Sequence, residues 1–121
     1  MRLTLPGRVP SKKNSKRWLM RGGRTYLVPS AAFEYWHEEM MLRIRPHRPK
    51  TPIPSASVAI RFFADSRRRF DLSNAAESVM DLLVDAGILA DDSAFNVGDL
   101  HLKLGGVEPN NARAEVQIEA L

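Results

Sequence analysis

Apolar residues recur along this chain in two rhythms. Between Ala112 and Leu121, the apolar Ala114, Val116, Ile118 and Ala120 alternate with Arg113, Glu115, Gln117 and Glu119, the period-2 signature of a half-buried strand. Ala56, Val58, Ile60, Phe62 and Ala64 repeat the alternation around Arg61. Leu100, Leu102 and Leu104 do so against His101 and Lys103, in a strand expected to begin near Phe95 with Gly98 at a bulge or kink. Leu3 and Leu5 predict a short first strand, and Arg21-Gly22-Gly23-Arg24 leading into Thr25-Tyr26-Leu27-Val28 predicts a hairpin. The second rhythm is helical. Ser30 is a natural N-cap for a helix that carries Phe33, Trp36, Met40 and Ile44 on one face and must stop near Arg45, ahead of Pro46. A further helix over residues 72–86 sets Leu72, Ala75, Ala76, Val79, Met80, Leu82, Leu83 and Ala86 on one broad side. Ser73, Asn74, Glu77 and Asp81 share one arc on the opposite side, and Gly87 is placed to end the helix. The element order predicts an α+β fold, a mixed β-sheet with two helices packed on it, as a single domain over residues 1–121.

Charge changes this picture more than composition does. Residues 1–70 hold 16 of the 18 lysines and arginines but 4 of the 14 acids, a balance of +12. Residues 71–121 hold 2 bases and 10 acids, a balance of −8. One reading is a basic surface for a polyanion such as nucleic acid, beside an acidic site where a divalent cation bridges carboxylate and phosphate. The other is mutual neutralisation by surface ion pairs. The chain has no cysteine, which excludes disulfides, thiolate zinc sites, iron–sulfur clusters and cysteine nucleophiles. No stretch approaches the ~20 apolar residues of a membrane span. The N-terminal MRLTLPGRVPSKKN lacks the apolar segment of a secretory signal, so a cytoplasmic location is expected.

Most of the chemistry gathers between Arg67 and Ser93. Asp71 follows the basic run Arg67-Arg68-Arg69 and precedes the second helix, and Asp91 and Asp92 follow its end. A helix of this length is ~22 Å long. Asp92 therefore nears Asp71 only if residues 88–92 run back nearly extended, a reach of at most ~18 Å. Gathered carboxylates of this kind suit magnesium, and two such ions suit phosphodiester hydrolysis. By spacing alone, an acidic helix face is more often simply solvated. His37, His47 and His101 form no H-x-H or H-E-x-x-H pattern, and Ser11, Ser30 and Ser93 lie in no G-x-S-x-G context. Trp18, Tyr26, Tyr35 and Trp36 are candidates for stacking on unpaired bases, although helix periodicity assigns Trp36 to the core. Lys12, Lys13, Lys16, Arg17, Arg21 and Arg24 read as a phosphate-contacting cluster.

The run of arginines, then D-x-x-N, a helix and G-I-L-x-D-D, resembles the RusA family of Holliday-junction resolvases. The N-terminal half is similar too, with Leu5-Pro6, then Pro10-Ser11-Lys12-Lys13-Asn14, then Gly23-Arg24-Thr25 ahead of the helix opened by Pro29-Ser30. The resemblance covers nearly the whole chain. It implies a bacterial or phage-encoded homodimeric endonuclease that cuts four-way DNA junctions in recombination and repair, with magnesium as cofactor and manganese as the other candidate ion. It further implies that Asp71 and Asp92 bind metal, that Asn74 is the motif asparagine, that Asp91 supports the site and that Arg67, Arg68 and Arg69 join the DNA-binding surface with Lys12, Lys13, Asn14, Lys16, Arg17 and Arg24. The family's D-x-D-N is altered here. Ser73 stands where the second aspartate is expected, and Glu77 where a lysine is expected. One account is relocation, with Glu77 supplying the missing ligand one helical turn along. The other is a degenerate site on a non-catalytic nucleic-acid-binding protein.

Overall fold

The computed structural model describes residues 1–11 and 16–121. Its elements run β1 (Arg2–Pro6), β2 (Lys16–Arg21), β3 (Arg24–Pro29), α1 (Ala31–Ile44), a 3₁₀ turn (Arg45–His47), β4 (Ala56–Ala64), α2 (Leu72–Asp85), β5 (Val97–Val107) and β6 (Arg113–Ala120). β1, β6, β4 and β5 form one mixed sheet in that order, and β2 and β3 form a separate two-stranded ribbon. β1/β6 and β6/β4 are antiparallel, whereas β4 and β5 are parallel and joined through α2. The fold is α+β, as the element order predicts.

The alternating strands bury one face against the helices. Val58, Ile60 and Phe62 of β4 and Ala114, Val116 and Ile118 of β6 are buried, together with Leu3 and Leu5 of β1. Phe33, Trp36, Met40 and Ile44 cover them from α1, and Val79, Leu82 and Leu83 from α2. Ser30 caps α1 through its hydroxyl, which accepts from the Phe33 N–H at 3.1 Å, and the helix ends one residue before the 3₁₀ turn that contains Pro46. α2 ends at Asp85, and Gly87 takes φ +78° to turn the chain out.

Two local expectations are corrected. β5 begins at Val97, and Phe95 lies in the preceding turn with 96% of its surface exposed. Gly98 is skipped in the β4 register, which makes it the expected bulge, and Gly105 is skipped in the same way. The larger correction concerns residues 88–92, which do not run back along α2. The Ile53 N–H donates to the Ile88 carbonyl at 2.8 Å, and the Ala90 N–H donates to the Ile53 carbonyl at 2.9 Å. These bonds carry the segment to the start of β4. No helix among the described residues is long and apolar enough to cross a membrane.

Candidate nucleic-acid interface and acidic cleft

The chain leaves β4 at Ala64, turns through 65–70 and enters α2 at Leu72. Phe70 anchors this loop by packing edge-on against buried Phe62, with ring centroids 6.3 Å apart. Asp71 stands at the N-cap with extended backbone, yet its side chain does not cap the helix. Its Oδ2 instead accepts from Asn74 Nδ2 at 3.2 Å, and its Oδ1 stands 3.9 Å from Arg69 Nη2. An aspartate N-cap ordinarily stabilises a helix by about 1 kcal/mol through that side-chain bond. Here the carboxylate forgoes it and lines a cleft of about 710 Å³ between the β4–α2 loop, the segment after β1 and the start of α1.

Arg8, Ser11, Arg68, Arg69 and Asn74 border this cleft with Asp71. Asp65 borders it as well and accepts from Arg8 Nη2 at 3.2 Å. Sequence reading missed Asp65; its one available signal is being an acid directly after a strand in the basic half of the chain. Arg113 lies at the cleft wall but is committed elsewhere. Its Nη2 donates to Glu108 at 3.1 Å, its Nε to Glu115 at 3.0 Å, and its guanidinium lies 3.8 Å over the Phe63 ring. Donating hydrogen bonds to Glu108 and then to Glu115 pushes its pKa above the usual guanidinium range. Buried Ser78 donates to the Pro10 carbonyl at 2.6 Å and pins the segment after β1 to α2.

The remaining site residues scatter. Ser73 and Glu77 are exposed on α2, outside the cleft lining, and Asp81 is half-buried farther along. Asp85 Oδ2 lies 2.9 Å from His37 Nε2, a contact between α2 and α1. Asp91 and Asp92 are exposed at the other end of α2, where Asp91 Oδ1 accepts from the Asp92 N–H at 2.8 Å. Asn96 Nδ2 holds this turn to the Pro54 carbonyl at 2.9 Å. Asp71 and Asp92 are thus separated by a 14-residue helix, about 21 Å of rise. Among the described residues no three His, Asp or Glu side chains gather closely enough to hold a metal ion. One chain alone therefore does not fit the ion through Asp71, Glu77 and Asp92 together.

The basic side is better assembled. β2 and β3 pair as a hairpin closed by Gly22 and Gly23, both at positive φ, as a two-residue turn of this hand requires. Trp18 faces Leu27 and Met20 faces Thr25 across the ribbon, so Trp18, Met20 and Leu27 share one face. Trp18 is 70% and Met20 75% exposed. Arg17, Arg21 and Arg24 lie on the other face with Tyr26. The ribbon is tethered by Arg17 Nη2, 3.3 Å from Glu34 Oε2 on α1, and its root leads through Ser30 to Ala32, which borders the cleft. Arg67, Arg68 and Arg69 are exposed on the β4–α2 loop. Lys12, Lys13 and Asn14 lie outside the described residues. No protein-family model matches the chain, and no curated protein matches it either.

Proposed function

We propose that this chain is a magnesium-dependent, structure-selective endodeoxyribonuclease that acts on four-way DNA junctions as a homodimer. The observation that carries the reading is the Asp71 carboxylate, turned away from the helix it should cap and into a cleft bordered by Arg8, Arg68 and Arg69. A carboxylate inside a basic rim suits phosphodiester chemistry: the arginines hold phosphate, and the acid serves the reacting centre. The ribbon supports the same reading. A two-stranded ribbon fits a DNA groove, its arginines meet phosphates, and Trp18 offers a stacking platform where bases are unpaired. A junction supplies both. The scattered acids favour a second reading, a junction-binding protein without cleavage.

A labelled synthetic four-way junction, incubated with and without magnesium, decides between them. Paired, magnesium-dependent nicks are the expected result. Retention without cutting establishes the binding-only reading, and no binding overturns both. Asp71→Asn is expected to abolish cutting while leaving junction affinity within about threefold. If Glu77 stands in for the carboxylate that Ser73 lacks, Glu77→Gln behaves alike. Parental cutting by Glu77→Gln beside an inactive Asp71→Asn removes Glu77 from the site.

A further inference from the structure

The helices cover one face of the four-stranded sheet, and the opposite face is open among the described residues. Register sets its side chains in rows across the strands. Thr4, Glu115, Arg61 and Lys103 form one row, and Arg2, Gln117, Ala59 and His101 form the next. Arg2, Arg61, His101 and Lys103 are exposed here around a shallow groove of about 480 Å³. Of the lysines and arginines, residues 71–121 hold only Lys103 and Arg113, and both stand on this face. A polar outer face on a half-covered sheet is ordinary. The way its charges pair is not.

Each acid that these strands place on the face is held by a neighbour. Glu115 stands opposite Arg61 in register, yet its Oε2 accepts from Arg113 Nε at 3.0 Å. Asp99 Oδ1 lies 2.8 Å from His101 Nε2, and its Oδ2 accepts from Ser57 Oγ at 3.1 Å. Glu119 Oε1 accepts from Gln117 Nε2 at 3.3 Å. Among the described residues, no carboxylate forms an ion pair with Arg2, Arg61 or Lys103. Arg61 and Lys103 moreover stand directly opposite each other across β4 and β5. Like charges so placed oppose strand pairing, and an anion between them relieves a repulsion that the chain itself leaves standing. Gly105 makes room for this arrangement. A Cβ there would stand 2.7 Å from Arg61 Cγ and 2.7 Å from Phe63 Cζ, so the missing side chain lets the Arg61 stem lie over β5.

The rows also have a direction. Phe63 and Arg113 pair at one end of the sheet and border the cleft as well. Asp99 and Glu119 lie at the other end, both opposite Ser57. The basic surface therefore runs from the cleft rim past Arg113 onto the sheet and stops at the acids. From Phe63 to Ala59 it covers about 13 Å of strand, roughly four nucleotide steps at ~3.4 Å each. We propose that this open sheet face is a second DNA-binding surface, on which Arg2, Arg61 and Lys103 hold the phosphates of a duplex arm leaving the cleft. Contacts of this kind position the duplex and read no sequence. That the occupant is an anion follows from the face itself; that it is duplex DNA rests on the nucleic-acid reading above.

A labelled linear duplex, with no branch point, tests the surface by fluorescence anisotropy over a range of salt. Arg61→Gln combined with Lys103→Gln is expected to weaken binding about tenfold and to lower the slope of log affinity against log salt by about 1.8. Arg43→Gln combined with Lys50→Gln removes the same charge from exposed positions off this face and should change affinity less than twofold. Because the chain has no cysteine, a thiol-linked photoprobe can be placed at one position alone. On Gln117→Cys it is expected to mark the duplex, and on Leu42→Cys, exposed on α1, it is not. No duplex binding by the parent, unchanged affinity in the Arg61 and Lys103 pair, or equal marking by both probes overturns the second surface. Polyglutamate bound in place of the duplex, and lost with the same pair, assigns the face to an acidic protein and overturns it too. Junction cutting bears on the nuclease reading alone. A protein that passes these tests and cuts no junction keeps the surface and loses that reading; one that fails them while cutting loses the surface and keeps it.

Discussion

The β2–β3 ribbon and the β4–β6 pair are built from the same hydrogen-bonding pattern, with opposite outcomes for their side chains. In β4 and β6 every second residue is driven under the helices, and Val58, Ile60, Val116 and Ile118 are almost fully buried. In the ribbon, Trp18, Met20 and Leu27 lie in the open. Burial of apolar surface contributes roughly 25 cal/mol per Å², so the first pair holds the fold together and the second contributes little to it. What the ribbon's apolar residues can do is meet something from outside, and the arginines on its reverse face indicate a polyanion. A hydrophobic residue in this chain therefore has one of two roles, which alternation alone does not distinguish.

The contrast can be broken at either side. Leu82→Ala opens a cavity beneath α2 and is expected to cost about 2–5 kcal/mol in urea unfolding; a loss below 1 kcal/mol would mean that the helix is not packed as described. Ser78→Ala removes the bond that holds Pro10 to α2 and should cost about 1–3 kcal/mol by the same measurement, with the cleft wall loosened. Trp18→Ala should leave unfolding unchanged within about 0.5 kcal/mol yet weaken junction binding by about 1–3 kcal/mol, read by fluorescence anisotropy. Equal effects on folding and binding would abolish the distinction between the two regions. Replacing Arg67, Arg68 and Arg69 by glutamine should lower the slope of log affinity against log salt by up to about 0.9 per arginine that contacts a phosphate. Asp85→Asn, which loses only the half-exposed contact to His37, should shift stability by less than about 1 kcal/mol.

Much of the fold is legible because its signals are local. Ser30 and Gly87 bound the helices through cap chemistry, the Gly22-Gly23 pair sets the hairpin, and the period-2 runs define β4 and β6. β5 was less legible: its leucines alternate as well as those of any strand, but nothing in them says that the sheet ends there with half of that face open. The site was legible in parts. Asp71 and the arginines could be found from sequence order. Whether Asp92 returns to Asp71 depends on the backbone bonds of Ile53 with Ile88 and Ala90, partners 35 and 37 residues away that no spacing rule connects. Asp65 carried little more than its place after a strand, since its sharing of a cleft with Asp71 emerges only on folding.

The strand order carries a consequence for how the molecule is made. β6, the last strand of the sheet to be synthesised, is inserted between β1, which came first, and β4, with Leu3 opposite Val116 and Val58 opposite Ile118. Until β6 has left the ribosome, β1 has no partner and the central strand shows an open apolar edge. The nascent chain can assemble its β4–α2–β5 unit early but must wait to close the sheet. Because that closure joins segments more than a hundred residues apart, refolding should be slow for a chain of this size, in the millisecond-to-second range of sheets dominated by distant pairings. During that interval the half-built sheet is exposed to misassociation with its neighbours on the polysome.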